Sequence, residues 1–273
     1  MPNGLSWPLE TNTELVLQLH LQPTGKPEQI QSSVGFYFTD ELPTNTPAKI
    51  WLLSYDIDIP ADKANYVLKD SYVLPADVQV LGVLPHTHYL GRELQSYAVL
   101  PDGTRQWLLR IKQWDFNWQG DYRYVKPVFL PKGATIQMEF TYDNSKNNIH
   151  NPHQPPQRVR YGLQSTDEMG ELWLQILPGN TNDLALISRD YNERLFRDGI
   201  AYNEYLLRIN PRDAAAQTEL GRLKLFHRQY ADGVRWWTPE LYRSGDAAGG
   251  VDGSDQTCVE VHGPQHHVRT RVL

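Results

Sequence analysis

Hydrophobic positions between residues 14 and 177 come in short runs broken by Pro, Gly and Asn, with no helical period between them. Leu15-Val16-Leu17-Gln18-Leu19-His20-Leu21 is strand-like and stops at Pro23-Thr24-Gly25-Lys26-Pro27. Ser33-Val34-Gly35-Phe36-Tyr37-Phe38 predicts a second strand, as a hairpin partner or neighbour of the first. Pro43 and Pro47 then punctuate the chain and place a domain boundary near Thr46. Further strands are predicted over 50–55, 66–74, 78–84, 93–100, 106–111, 133–142 and 171–177. Pro101-Asp102-Gly103-Thr104 is a hairpin turn, because Pro presets φ and Gly accepts a positive one. Many short strands at this spacing predict a mainly β fold, a β-sandwich of the jelly-roll kind over 46–182.

After residue 182 the period changes. Residues 184–207 carry helical spacing with charges interleaved. Arg208-Ile209-Asn210-Pro211-Arg212-Asp213 breaks it, and Asp213 is placed to cap a second helix over 214–230, with Leu220, Leu223 and Phe226 on one face. A helix, an Asn-Pro-x-Asp turn, Leu220-Gly221 and Tyr230 at these spacings resemble a tetratricopeptide junction, so 183–233 is read as a short tetratricopeptide-like segment. Only about one and a half repeats are visible, where an array needs about three for stability. Residues 234–273 are rich in Gly, Asp and Ala and lack a period, which predicts a disordered tail.

Charge and composition narrow the function. A formal net charge of −6 argues against general nucleic-acid binding. The single cysteine, Cys258, excludes an internal disulfide framework, a Cys-based zinc site and an iron–sulfur cluster. No apolar run approaches the length of a membrane span, and Met1–Glu10 lacks the basic start and apolar stretch of a secretory signal.

The sharpest chemical feature is His86-Thr87-His88 at the end of a predicted strand. Residues i and i+2 on a strand share a face, so both imidazoles can reach one metal, and imidazole suits copper, zinc, iron or nickel. Two surface histidines at a strand end fit the triplet as well. Met169 sits in the polar segment Gln164-Ser165-Thr166-Asp167-Glu168-Met169, directly before a predicted strand. It reads either as a core gap-filler or as a thioether ligand; two imidazoles and a thioether favour Cu(I).

Taken together, Pro85-His86-Thr87-His88-Tyr89-Leu90-Gly91, Tyr142-Asp143-Asn144-Ser145, Asn151-Pro152 and Ser165-Thr166-Asp167-Glu168-Met169 resemble the bacterial branch of the copper type II, ascorbate-dependent monooxygenases. Peptidylglycine α-hydroxylating monooxygenase and dopamine β-monooxygenase are its animal relatives. The likeness covers residues 14–177. It implies two jelly-roll domains with one copper each, the C-terminal one using His-x-His and Met for the copper that meets O2 and substrate. By resemblance His86, His88 and Met169 are those ligands. His20 looks like the third histidine of the N-terminal electron-transfer site, whereas taken alone it is a strand histidine without metal. Residues 1–45 are then the last strands of the N-terminal domain. The resemblance implies C–H hydroxylation of a small-molecule or peptide substrate with O2 and ascorbate, in the periplasm or outside the cell for a full-length parent.

Several positions depart from the family pattern. No His-His pair precedes His20; the pair His266-His267 lies in the tail with His262. One of the two copper sites is therefore expected to be complete here, and the chain is expected to lack its front end. The family positions that anchor a peptidylglycine carboxylate are Leu84, Glu171 and Trp173, which offer no guanidinium and one repelling carboxylate. His150 and His153 lie in a polar loop, while Asp143, Asn144 and Asp167 are read as turn braces or supports for the ligands. The second reading of the chain is a non-enzymatic sandwich whose helical segment docks a protein partner.

Overall fold

A computed structural model describes residues 5, 14–20, 25–27, 29–36, 38, 40, 45–226, 256–260 and 269–272. The strands are β1 (Glu14–His20), β2 (Ala48–Leu53), β3 (Asp58–Ile59), β4 (Tyr66–Val73), β5 (Val78–His86), β6 (Gly91–Val99), β7 (Arg105–Ile111), β8 (Tyr122–Leu130), β9 (Thr135–Tyr142), β10 (Val159–Arg160) and β11 (Glu171–Pro178). Helices α1 (Thr181–Ile209) and α2 (Ala214–Phe226) follow, then β12 (Gln256–Glu260) and β13 (Arg269–Val272). The chain divides into two compact units, 45–205 and the combination of 1–44 with 206–273.

The first unit is a β-sandwich of two four-stranded antiparallel sheets, ordered β2-β11-β5-β8 and β4-β9-β6-β7. Alternation explains the packing. In β9, Ile136, Met138, Phe140 and Tyr142 are fully buried, while the residues between them are only half-buried. In β11, Leu172, Leu174 and Ile176 face the same core from the other sheet, joined by Ile50 and Leu52 of β2. Burying each such side chain contributes about 1.5–3 kcal/mol. At Pro101-Asp102-Gly103-Thr104 the expected turn forms: Gly103 has φ of 84° and its N–H donates to the Leu100 carbonyl at 2.8 Å.

Helix α1 begins at an Asn180 cap, whose Oδ1 accepts from the Asn182 and Asp183 amides at 2.9 and 3.0 Å. Its first half belongs to the sandwich, because Ile187 and Tyr191 join the core. Strand β2 is an edge, and edge backbone groups need partners. The Tyr191 hydroxyl supplies one, accepting from Trp51 N and donating to Trp51 O, each at 2.8 Å. Beside it the buried Arg194 guanidinium donates to Asp70, Asp198 and the Ser71 carbonyl.

In the second unit β1 pairs antiparallel with β12 and parallel with β13. α2 begins at the expected cap, where Asp213 Oδ1 accepts from the Ala216 amide at 2.9 Å. No helix among the described residues is long and apolar enough to cross a membrane.

Three sequence expectations need correction. Residues 33–36 and 38 are not in a strand. Val34, Phe36 and Phe38 are exposed there, so the apolar run has no surface to cover. Segments 256–260 and 269–272 are strands beside β1, so a disordered tail does not describe them. Strand β8 carries Pro127 and several charges and was not expected; as a sheet edge it tolerates both.

Candidate metal centre

His86 closes β5 and His88 lies in the turn that follows, leading into β6. On the antiparallel neighbour β11, Glu171 stands directly opposite His86, and Trp173 opposite Leu84. Met169 lies two residues before β11 begins. The topology therefore delivers the His-x-His segment and Met169 to the same end of one sheet.

One buried side chain joins the two segments. The Glu168 carboxylate is fully buried. Its Oε1 accepts from the Thr87 hydroxyl at 2.7 Å, the His88 amide at 2.5 Å and the Met169 amide at 2.9 Å. Its Oε2 accepts from the Leu90 amide at 3.0 Å. Desolvation pushes the Glu168 pKa up to about 7, against the lowering effect of these four donors. Glu168 is itself held by its backbone, which exchanges hydrogen bonds with Arg160 O and Gly162 N.

The rest of the setting is built around that carboxylate. Tyr142, completely buried, donates from its hydroxyl to the Met169 carbonyl at 2.9 Å. Trp114 donates from Nε1 to the His88 carbonyl at 3.1 Å. His88 is 4% exposed, and its Nδ1 lies 3.1 Å from the Asp167 carbonyl. A carbonyl only accepts, so Nδ1 carries the hydrogen and Nε2 is left as the nitrogen that can ligate. His86 is half-buried, with Nδ1 2.5 Å from Gln119 Oε1 and its ring 5.2 Å from that of His88.

Among the residues expected to brace the site, Asn144 does most. It is fully buried and donates to the carbonyls of Pro60 at 3.0 Å and Gln157 at 2.7 Å, while its Oδ1 accepts from Asn151 at 2.9 Å. Asp143 caps its own turn by accepting from the Ser145 amide, and Asp167 accepts from the Gln164 amide. His153 lies 3.1 Å through Nε2 from the Thr166 carbonyl, so it rests against the Met169 segment; His150 is exposed. His20 is the last residue of β1, in the other compact unit. His262, His266 and His267 lie outside the described residues.

Glu171 is buried beside His86, and its Oε2 accepts from Trp173 Nε1 at 3.1 Å. Desolvation raises its pKa. Trp173 stacks on Trp51 with 4.5 Å between ring centroids. No anchoring cation stands at these three positions, as the residue types already imply.

Among the described residues no three His, Cys, Asp or Glu side chains assemble a metal site. The candidate ligands expected from the sequence are of another kind: two imidazoles, each with Nδ1 facing an oxygen acceptor, and one thioether. That set suits a soft ion such as Cu(I). Sequence reasoning missed the bridging role of Glu168 and the 112–121 segment. A lone Glu in a polar turn carries no periodic signal, whereas Trp114 and Phe116 in an otherwise polar loop were a usable sign of packing.

The family model for the copper type II ascorbate-dependent monooxygenase, C-terminal domain, matches residues 62–184. Over that span the chain resembles this family, whose name states dependence on copper and ascorbate. No curated protein matches the chain. Solved structures of infectious bursal disease virus show a distant likeness. The Gt strain structure is 15% identical, with 57% of this chain and 38% of that chain covered at a TM-score of 0.26. The Gx strain structure is 10% identical, with 55% and 37% covered at 0.24. The match thus spans well under half of either viral chain.

Proposed function

We propose that the sandwich holds one copper ion through His86, His88 and Met169, and that the chain is a monooxygenase hydroxylating a substrate C–H bond with O2 and ascorbate. The observation that carries this reading is Glu168, whose one oxygen receives hydrogen bonds from both ligand-bearing segments. A carboxylate is costly to bury, and it is spent here on fixing two segments that are far apart in the chain. When bound, copper supplies the one-electron chemistry that activates O2. The protein's part is to present Nε2 of each histidine and to hold the Met169 backbone rigid. The half-buried position of His86 is compatible with access of substrate to the ion.

By the same reading His20 belongs to the family's second copper site. The face beside His86 offers Glu171, Trp173 and Leu84, which suits a neutral or cationic substrate better than a carboxylate. The test is incorporation of label from 18O2 by the copper-loaded, ascorbate-reduced protein. An aromatic amine, a neutral peptide amide and a glycine-extended peptide serve as probes. Labelled product is expected from the amine or the amide, least from the glycine-extended peptide, and none after His88→Ala. Absence of label in every product would count against the reading.

A further inference from the structure

The segment 112–121, between β7 and β8, lies against both candidate ligand histidines. Trp114 donates to the His88 carbonyl, and the Phe116 ring meets the His88 ring edge-on at 5.9 Å and Tyr89 at 4.3 Å. Asp115 shapes the segment by accepting from the Asn117 amide at 2.9 Å through Oδ1 and from the Trp118 amide at 2.9 Å through its carbonyl. Gln119 then reaches His86.

The orientation of the Gln119 amide follows from its other end. Gln119 Nε2 lies 2.9 Å from the Phe116 carbonyl, an atom that can only accept. The amide nitrogen must therefore face Phe116, and Oε1 must face His86. An amide oxygen cannot donate, so His86 Nδ1 carries the hydrogen and Nε2 carries the lone pair. His88 reaches the same tautomer by a different route, through the Asp167 carbonyl. Each histidine thus has its own acceptor, and the one for His86 is a side chain that mutation can remove without touching the backbone.

We infer that Gln119 is a positioning residue that sets the tautomer and ring orientation of His86 for metal binding. The inference rests on the copper reading above for its purpose, though not for its geometry. Such outer partners of a metal-binding histidine typically change metal affinity about 10–100-fold when removed. Gln119 is exposed and outside the core, so its replacement leaves the sandwich intact.

The experiment uses two variants and two readouts. Imidazole 15N spectra of the metal-free protein report which nitrogen of His86 is protonated, with the signal assigned by its loss in His86→Ala. Competition with a Cu(I) chelator reports affinity. Gln119→Ala is expected to shift His86 away from the Nδ1–H tautomer and to weaken Cu(I) binding about 10-fold or more. Gln119→Glu, which keeps an acceptor, is expected to restore the tautomer. An unchanged His86 signal in Gln119→Ala would overturn the inference. Failure of the unaltered protein to bind Cu(I) would instead overturn the copper reading beneath it.

Discussion

Glu168→Ala is expected to lower the unfolding free energy by about 3–5 kcal/mol, because it leaves several buried donors without an acceptor. Four donors lose their acceptor at once: the Thr87 hydroxyl and the amides of His88, Met169 and Leu90. Each unsatisfied buried donor costs about 1–3 kcal/mol, offset in part because the desolvated carboxylate is gone. Glu168→Gln separates the two contributions. It keeps one acceptor oxygen for the three donors on the Oε1 side and turns an amide nitrogen toward Leu90 N, so its cost is expected to be smaller. Urea unfolding of the metal-free variants gives both values. Equal and small losses in the two would show that the carboxylate does not hold the segments together.

The second large effect is expected at Gly170, between Met169 and Glu171. A Cβ there would lie 2.3 Å from Leu68 Cδ2 and 2.6 Å from the Tyr142 hydroxyl oxygen. Both neighbours are core residues with little room to yield. Displacing Tyr142 also breaks its hydrogen bond to the Met169 carbonyl. Gly170→Ala is therefore expected to cost about 1–3 kcal/mol from overpacking, plus the lost bond. Gly120→Ala is the control, since the nearest atom to its Cβ would be Tyr122 Cζ at an ordinary 3.5 Å. A thermal melt of both variants decides the matter; similar melting temperatures would show that the Gly170 site relaxes freely.

Alternation made most of the sandwich readable. Strands such as β9 and β11 place an apolar residue at every second position, and that pattern survives without knowledge of neighbours. Strand β8 failed the same test because it is an edge. Val125 is fully exposed and Pro127 and Lys126 sit within the strand, so nothing in its local sequence marks a half-buried ribbon. The run 33–38 failed in the opposite sense: its apolar residues suggested a strand, but burial depends on a partner surface that sequence does not display.

The candidate site divides along similar lines. His86, His88 and Met169 were legible as residue types at suggestive positions. Residue spacing alone did not bring the two segments together; only the family resemblance did, and the β5–β11 pairing that sets His86 opposite Glu171 is the physical reason they share one sheet end. The bridging role of Glu168 was invisible for a related reason. Its four donors come from two places in the chain, 87–90 and Met169, and only the fold brings them to one carboxylate. Asn144 illustrates the middle case: its position after Asp143 suggested a turn brace, yet its bonds also reach Pro60, Gln157 and Asn151.

The central claim is that His86, His88 and Met169 hold one copper ion. Cu(I) titration under anaerobic conditions, with X-ray absorption of the loaded protein, tests it most directly. The account predicts one tightly held Cu(I) at the sandwich, with nitrogen and sulfur neighbours, and loss of the sulfur signal in Met169→Ala. Equal Cu(I) uptake by a His86→Ala, His88→Ala double variant would contradict it.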